Sequence, residues 1–243
     1  MSKFHFHTRE IGSVSIFDLV GKLGHEADEV QDVAWRMQKN IRRHRMQRVI
    51  LNMKGLESMD AIGMRKILAA CIRPKQSIIY GAAHDLLQII ADNHLSKNIG
   101  VCSNEKEVAE QMGTFLFNKD EAKKIFMEAN DPNRQGPGNE IERRRSHRMH
   151  VALPMEIKVF NANQLPIVTT SIATNISESG LFAEYLDLDA ANKIEAIDSL
   201  VGKKAQIHIF PSAHFPGEFD VIGIIRRKEV QGKQLGIGIE FVV

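Results

Sequence analysis

The residues best suited to chemistry in this 243-residue chain lie in two short stretches of its second half. The first, Arg143-Arg144-Arg145-Ser146-His147-Arg148, places four arginines within six residues. A guanidinium is planar, permanently charged and carries its donors in a fixed fork. It therefore grips phosphate in a bidentate way and stacks on flat rings. The second stretch is Asn175-Ile176-Ser177-Glu178-Ser179-Gly180. Its amide can read the edge of a base, its hydroxyls add donors and acceptors, and its glycine permits a turn or a close backbone approach. Taken singly, an arginine run is usually a solvated patch, and an Asn-x-Ser-x-x-Gly is usually a turn. They lie about 30 residues apart and are followed by β-type sequence, so what they mean together depends on the pattern they form.

The elements that would position these groups fall into two kinds. Over the first 117 residues, strand and helix patterns alternate. SVSIFDLV (13–20) reads as a strand broken by Gly21-Lys22-Leu23-Gly24. Residues 26–45 carry Val30, Val33, Ala34, Met37 and Ile41 at helical spacing. Strands follow at 48–53, 77–83 and 98–103, and helices at 60–71, 85–93 and 104–115, the last capped by Asn104. This alternation predicts an α/β sheet covered by helices. A further helix fits 118–129, and DPNRQGPGNE (131–140) has the Pro/Gly content of a linker. Beyond it, short β-type stretches at 151–160, 166–174, 180–186, 204–210, 217–229 and 235–243 predict a six-stranded antiparallel barrel, with one helix at 188–200. The expected domains are thus 1–117, a helix and linker at 118–140, and 141–243.

Composition narrows the function. A net charge of +2 with 26% charged residues does not by itself point to nucleic acid or membrane. The two cysteines, Cys71 and Cys102, lie in apolar surroundings without a CxxC spacing, as buried free thiols in a reducing cytosol would. The amino terminus lacks the apolar run of a signal peptide, and apolar runs fall short of a membrane span. The expectation is a cytoplasmic protein with no membrane insertion. No GxSxG, HExxH, P-loop or GxGxxG pattern is present, so no enzymatic activity, cofactor or metal is expected. His5 and His7 could share a metal, but a third ligand is not evident in the sequence. Arg36, Lys39, Arg42, Arg43, Arg45 and Arg48 form a basic helical segment, read as a solvated face with an acidic partner as its other use. Trp35 reads as core or interface, and His147 and His150 as exposed groups flanking Arg148.

The paired motifs resemble those of the PilZ family, RxxxR followed by [D/N]xSxxG. Arg144 and Arg148 match the first motif. Asn175, Ser177 and Gly180 match the second, and the closing LGIGIEF is similar to the family's last strand. The resemblance covers 141–243 and implies a receptor for cyclic di-GMP. It implies that Arg144 and Arg148 meet phosphate and guanine, and that Asn175 and Ser177 meet a guanine edge and nearby polar atoms. Arg143, just before the motif, implies two stacked ligand molecules per chain. The first 117 residues resemble the STAS fold of anti-sigma factor antagonists, through Gly21-Lys22-Leu23 and VILNMKGLESMDAIGMRKILAA (49–70). Asp60, Gly63 and Met64 keep that family's frame, but Ala61 and Ile62 stand where members carry the hydroxyls that are phosphorylated. Ser58 precedes Asp60 on the strand side and does not replace them. The implied function is a cyclic di-GMP effector that signals through the STAS-like half to an unidentified protein partner. The alternative is a protein-interaction scaffold whose PilZ-like half binds no ligand.

Overall fold

The computed structural model describes residues 4–12, 14–23, 27–93, 95–116, 149–161, 164–197, 199–212, 215–229 and 235–242. They form two compact units, with the division falling between Val108 and Ala109.

The amino-terminal unit is built on a five-stranded sheet of order β1-β2-β3-β4-β5. Its strands are β1 (His5–Ile11), β2 (Val14–Leu23), β3 (Arg48–Met59), β4 (Gln76–Tyr80) and β5 (Ile99–Cys102). β1 and β2 form an antiparallel hairpin, and β2 through β5 run parallel. Parallel neighbours require crossovers. These are α1 (Ala27–Arg43), α2 (Ala61–Ala70) and α3 (His84–Ala91), and α4 (Glu105–Leu116) follows the last strand. The helical stripe read from the sequence is what packs: Val30, Val33, Met37 and Ile41 of α1 join Phe17, Leu19, Leu51 and Met53 of the sheet in one core. Both thiols are buried, and burial pushes Cys71 up to about 12. Asn104 caps α4 by accepting from the Glu107 N–H at 3.0 Å, while Glu107 accepts from the Ser103 N–H at 2.7 Å, a reciprocal capping box.

Three local expectations are corrected. β2 does not stop at Gly21; it runs to Leu23, and Gly21 takes a φ of +93° where the β2–β3 register shifts. The glycine absorbs an irregularity inside the strand instead of ending it. β3 likewise continues past residue 53 to Met59, so Ser58 is a strand residue paired with Lys22. Trp35 is not core. It is 53% exposed on the face of α1 opposite the packed stripe, with the Lys39 ammonium 4.8 Å from its ring centre.

A buried polar group ties the first three strands together. Asp18 accepts from Arg9 at 2.6 and 3.1 Å and from Asn52 Nδ2 at 2.7 Å, and Asn52 Oδ1 accepts from the Lys54 N–H at 3.2 Å. Arg9, Asp18 and Asn52 are all buried. Removing one partner of a buried ion pair strands the other charge away from water, at a cost of about 3–5 kcal/mol.

The carboxy-terminal unit is a closed barrel of order β10-β11-β8-β7-β6-β9. It comprises β6 (Met149–Phe160), β7 (Pro166–Ser177), β8 (Gly180–Glu184), β9 (Lys204–Ile209), β10 (Phe219–Glu229) and β11 (Gly236–Phe241). Every neighbouring pair is antiparallel. The expected fold class, a helix-covered α/β sheet plus a six-stranded antiparallel barrel, is the observed one. Strand alternation does the work: in β9 the inward Ala205, Ile207 and Ile209 are buried, Lys204 and Gln206 are exposed and His208 is half-buried. Among the described residues of the barrel half lies the helix α5 (Leu188–Glu195), shorter than the expected 188–200 and capped by Asp187, which accepts from the Asp189 N–H. Its Ala190, Ala191 and Ile194 join the barrel core. Among the described residues, no helix is long and apolar enough to cross a membrane. The expected 118–129 helix and 131–140 linker lie outside the described residues.

Trp35 is the chain's single tryptophan and lies in the amino-terminal unit, so its fluorescence reports that unit's unfolding. Asp18→Ala is expected to lower that unit's stability by about 3–5 kcal/mol in urea denaturation. A loss below about 1 kcal/mol would show that the Arg9–Asp18–Asn52 group does not hold the sheet edge.

Candidate functional site

The second motif sits where β7 turns into β8. Ser177 and Gly180 face each other as the last pair of this hairpin, with Glu178 and Ser179 as its two-residue turn. The Ser177 hydroxyl donates to the Gly180 carbonyl at 3.2 Å and lies 3.3 Å from the Ser179 hydroxyl. The turn is tied to the last strand, because the Phe241 N–H donates to the Ser179 carbonyl at 2.9 Å. Gly180 is demanded by proximity: a Cβ there would stand 2.2 Å from the Ile239 carbonyl oxygen of β11.

Asn175 lies two residues before Ser177, opposite Phe182 of β8 on one side and His150 of β6 on the other. The β7–β8 register shifts between Ala173 and Asn175, and the intervening Thr174 turns its hydroxyl to the buried Glu184 carboxylate. The Asn175 Oδ1 is buried and has no hydrogen-bond partner among the described residues. A buried amide oxygen left unpaired forfeits about 1–3 kcal/mol, and such an atom at a cleft wall is an acceptor available to a ligand.

The cleft is real. Asn175, Ser177 and Gly180 line a depression of about 440 Å³ on the barrel, closed on the other side by Arg226 and Arg227 of β10 and Glu240 of β11. Consecutive strand residues normally point to opposite faces, yet both arginines line this cleft. The cause is a bulge: the β10–β11 register shifts between Ile225 and Arg227. Ile225 points into the barrel and is fully buried. The Arg227 guanidinium lies 4.8 Å over the Phe182 ring and its Nε is 3.2 Å from Glu229. Arg226 Nε donates to Glu240 at 2.5 Å. The surface therefore offers an unpaired amide oxygen, two hydroxyls, two guanidinium groups and an aromatic ring.

Of the six residues singled out in the sequence, the structure brings Asn175, Ser177 and Gly180 together on one wall. Arg143, Arg144 and Arg148 lie outside the described residues. β6 begins at Met149, immediately after Arg148 in sequence, and its His150 pairs with Asn175 in the ladder. Sequence reasoning missed Arg226 and Arg227. Their signal was an Arg-Arg pair directly after the apolar run VIGII, a doublet that strand periodicity cannot place on one face.

In the amino-terminal unit, Asp60 is the N-cap of α2 and accepts from the Gly63 N–H at 2.6 Å. Ala61 and Ile62 occupy the exposed first turn, Ile62 at 57%. The positions where the STAS resemblance expects hydroxyls are thus accessible but carry only methyl and alkyl groups. The acid keeps a structural duty as a helix cap.

No family model matches the chain, and no curated protein does. Solved structures do. The chain is similar to PilZ domains and to an anti-sigma factor antagonist. One match is the Bacillus subtilis inhibitor of motility, MotI/DgrA, at 16% identity and a TM-score of 0.31, over 42% of this chain and 44% of that one. A second is the PilZ domain of YcgR from Escherichia coli with c-di-GMP, at 19% identity and a TM-score of 0.28, over 41% of this chain and 78% of that one. A third is the anti-sigma factor antagonist SpoIIAA in its unphosphorylated form, at 16% identity and a TM-score of 0.32, over 44% of this chain and 97% of that one. At such low likeness, function has to come from the cleft residues themselves.

Gly180→Ala is expected to destabilise the protein by about 1–3 kcal/mol, because its Cβ meets backbone that cannot step aside. Thermal unfolding followed by circular dichroism checks this, with Ser179→Ala in the same turn as the comparison. Equal melting temperatures for the two variants would refute the close-approach role.

Proposed function

We propose that the carboxy-terminal barrel is a receptor for cyclic di-GMP and performs no catalysis. The observation that carries this reading is the unpartnered, buried Asn175 Oδ1 on the wall of a cleft whose opposite side is cationic. A guanine edge presents N–H donors that such an oxygen accepts. The ligand's two phosphates require cations, which the run Arg143-Arg144-Arg148 supplies by sequence directly before β6. The cleft of about 440 Å³ is in the range of small-molecule sites.

Arg143 adds a guanidinium next to the RxxxR pair, and the reading takes it as the group that accommodates a second stacked ligand. In calorimetric titration the protein is expected to bind two cyclic di-GMP molecules per chain, and Arg148→Ala is expected to weaken binding by about tenfold or more. Unchanged affinity in Arg148→Ala would remove the arginine run from the site. Saturation at one ligand per active chain would remove the stacked pair.

The amino-terminal unit supplies the output in this proposal. Ala61 and Ile62 leave no hydroxyl for a kinase at the exposed start of α2, so nucleotide binding stands in for phosphorylation as the input. Coupling of this kind is reciprocal: a partner that prefers the liganded form must tighten nucleotide binding by the same factor. Hydrogen exchange with and without cyclic di-GMP is expected to change across 141–150 and also near Asp60–Met64. A response confined to 141–243, together with partner binding that ignores the nucleotide, would mean that the two units are only tethered.

A further inference from the structure

The described residues hold a second set of charged groups at the cleft that the paired motifs do not include. Arg226 and Arg227 are adjacent in sequence, and without the bulge between Ile225 and Arg227 one of them would follow Ile225 into the apolar barrel. The bulge re-aims both guanidinium groups onto one outer surface. Opposite Arg227 in the ladder stands Gly238, where a Cβ would come within 3.3 Å of the Arg227 Cβ.

The two arginines are held differently. The Arg227 guanidinium carbon lies 4.8 Å from the centre of the Phe182 ring. A guanidinium plane stacks on flat rings, so Arg227 is placed to hold a base beside Phe182. Arg226 is held by an acid: its Nε donates to Glu240 at 2.5 Å, and both side chains are more than half exposed. Glu240 itself pairs across the ladder with Gly180, so this carboxylate lies beside the motif turn. It occupies the guanidinium that a phosphate would use. An exposed ion pair of this kind is worth about 0.2–1 kcal/mol, so a phosphate with charge-assisted contacts of its own displaces it readily.

We propose that Arg226 and Arg227 form a second cationic wall of the nucleotide site. Arg226 receives a ligand phosphate, Arg227 stacks a guanine over Phe182, and Glu240 is a resident anion that competes with the ligand for Arg226. This rests on the cyclic di-GMP reading and adds to it a set point for affinity. The tightness of binding is limited by an internal carboxylate and not only by the contacts made.

The test is calorimetric titration of full-length protein with cyclic di-GMP, for the wild type and for Arg226→Ala, Arg227→Ala, Glu240→Gln and Ser177→Ala. Circular dichroism melts verify that each variant folds. Arg226→Ala and Arg227→Ala are expected to weaken binding about tenfold or more, and Arg226→Ala also to flatten the dependence of Kd on salt. Glu240→Gln is expected to tighten binding roughly two- to fivefold, the worth of an exposed ion pair. Wild-type affinity in both arginine variants, alongside weakened binding in Ser177→Ala, would overturn the second wall while leaving the nucleotide reading intact. Weaker binding in Glu240→Gln would overturn the competitor role and make that carboxylate a ligand contact. Absence of binding in the wild type would overturn both the reading and the wall.

Discussion

The site depends on the close approach of β8 to β11. At Gly180 the two backbones come so near that a single methyl group would meet the Ile239 carbonyl at 2.2 Å. That approach lets the ladder between β8 and β11 form, and this ladder is one of the six that close the barrel. Closure leaves no strand edge free for pairing with another chain. It also sets the β7–β8 turn, with Ser177 and Ser179, against the outer surface of β10 and β11, where Arg226, Arg227 and Glu240 stand. A barrel with a bulkier residue at this seam would move the two walls of the cleft apart.

Irregular pairing is concentrated around the same place. The β6–β7 register shifts between His150 and Leu153, the β7–β8 register between Ala173 and Asn175, and the β10–β11 register between Ile225 and Arg227. A regular strand shows only every second residue to the outside. A shift of one residue brings an extra side chain to the outer face and bends the strand locally. Of the three shifts, the one in β10 puts Arg226 and Arg227 on the cleft, while Leu153, Ala173 and Ile225 stay in the core. The cost is local ladder disruption at those positions, and the apolar interior is untouched.

The amino-terminal unit obeys a different logic. Its parallel strands are covered by helices, and the buried charges of Arg9 and Asp18 are paired with each other and with Asn52. Asp60 survives as a helix cap although the neighbouring hydroxyls are absent. A cap is a backbone requirement and is independent of any phosphate chemistry at the next two residues.

Much of this was legible in the sequence because it rests on periodicity and local chemistry. The stripe Val30, Val33, Met37 and Ile41 predicted the buried face of α1, the alternation in KAQIHI predicted a strand, and Asn-x-Ser-x-x-Gly marked the β7–β8 turn with its glycine. Burial of both cysteines followed from their apolar neighbours. Other features belong to the tertiary structure alone. Whether Gly21 ends a strand or bends it is decided by its partner β3, which continues alongside to Met59. The pairing of Arg226 and Arg227 on one face needs a bulge, and a bulge is set by how β10 meets β11, not by the residues of β10. The Asn175 Oδ1, without a hydrogen-bond partner among the described residues, is likewise set by three strands meeting, which local sequence does not encode.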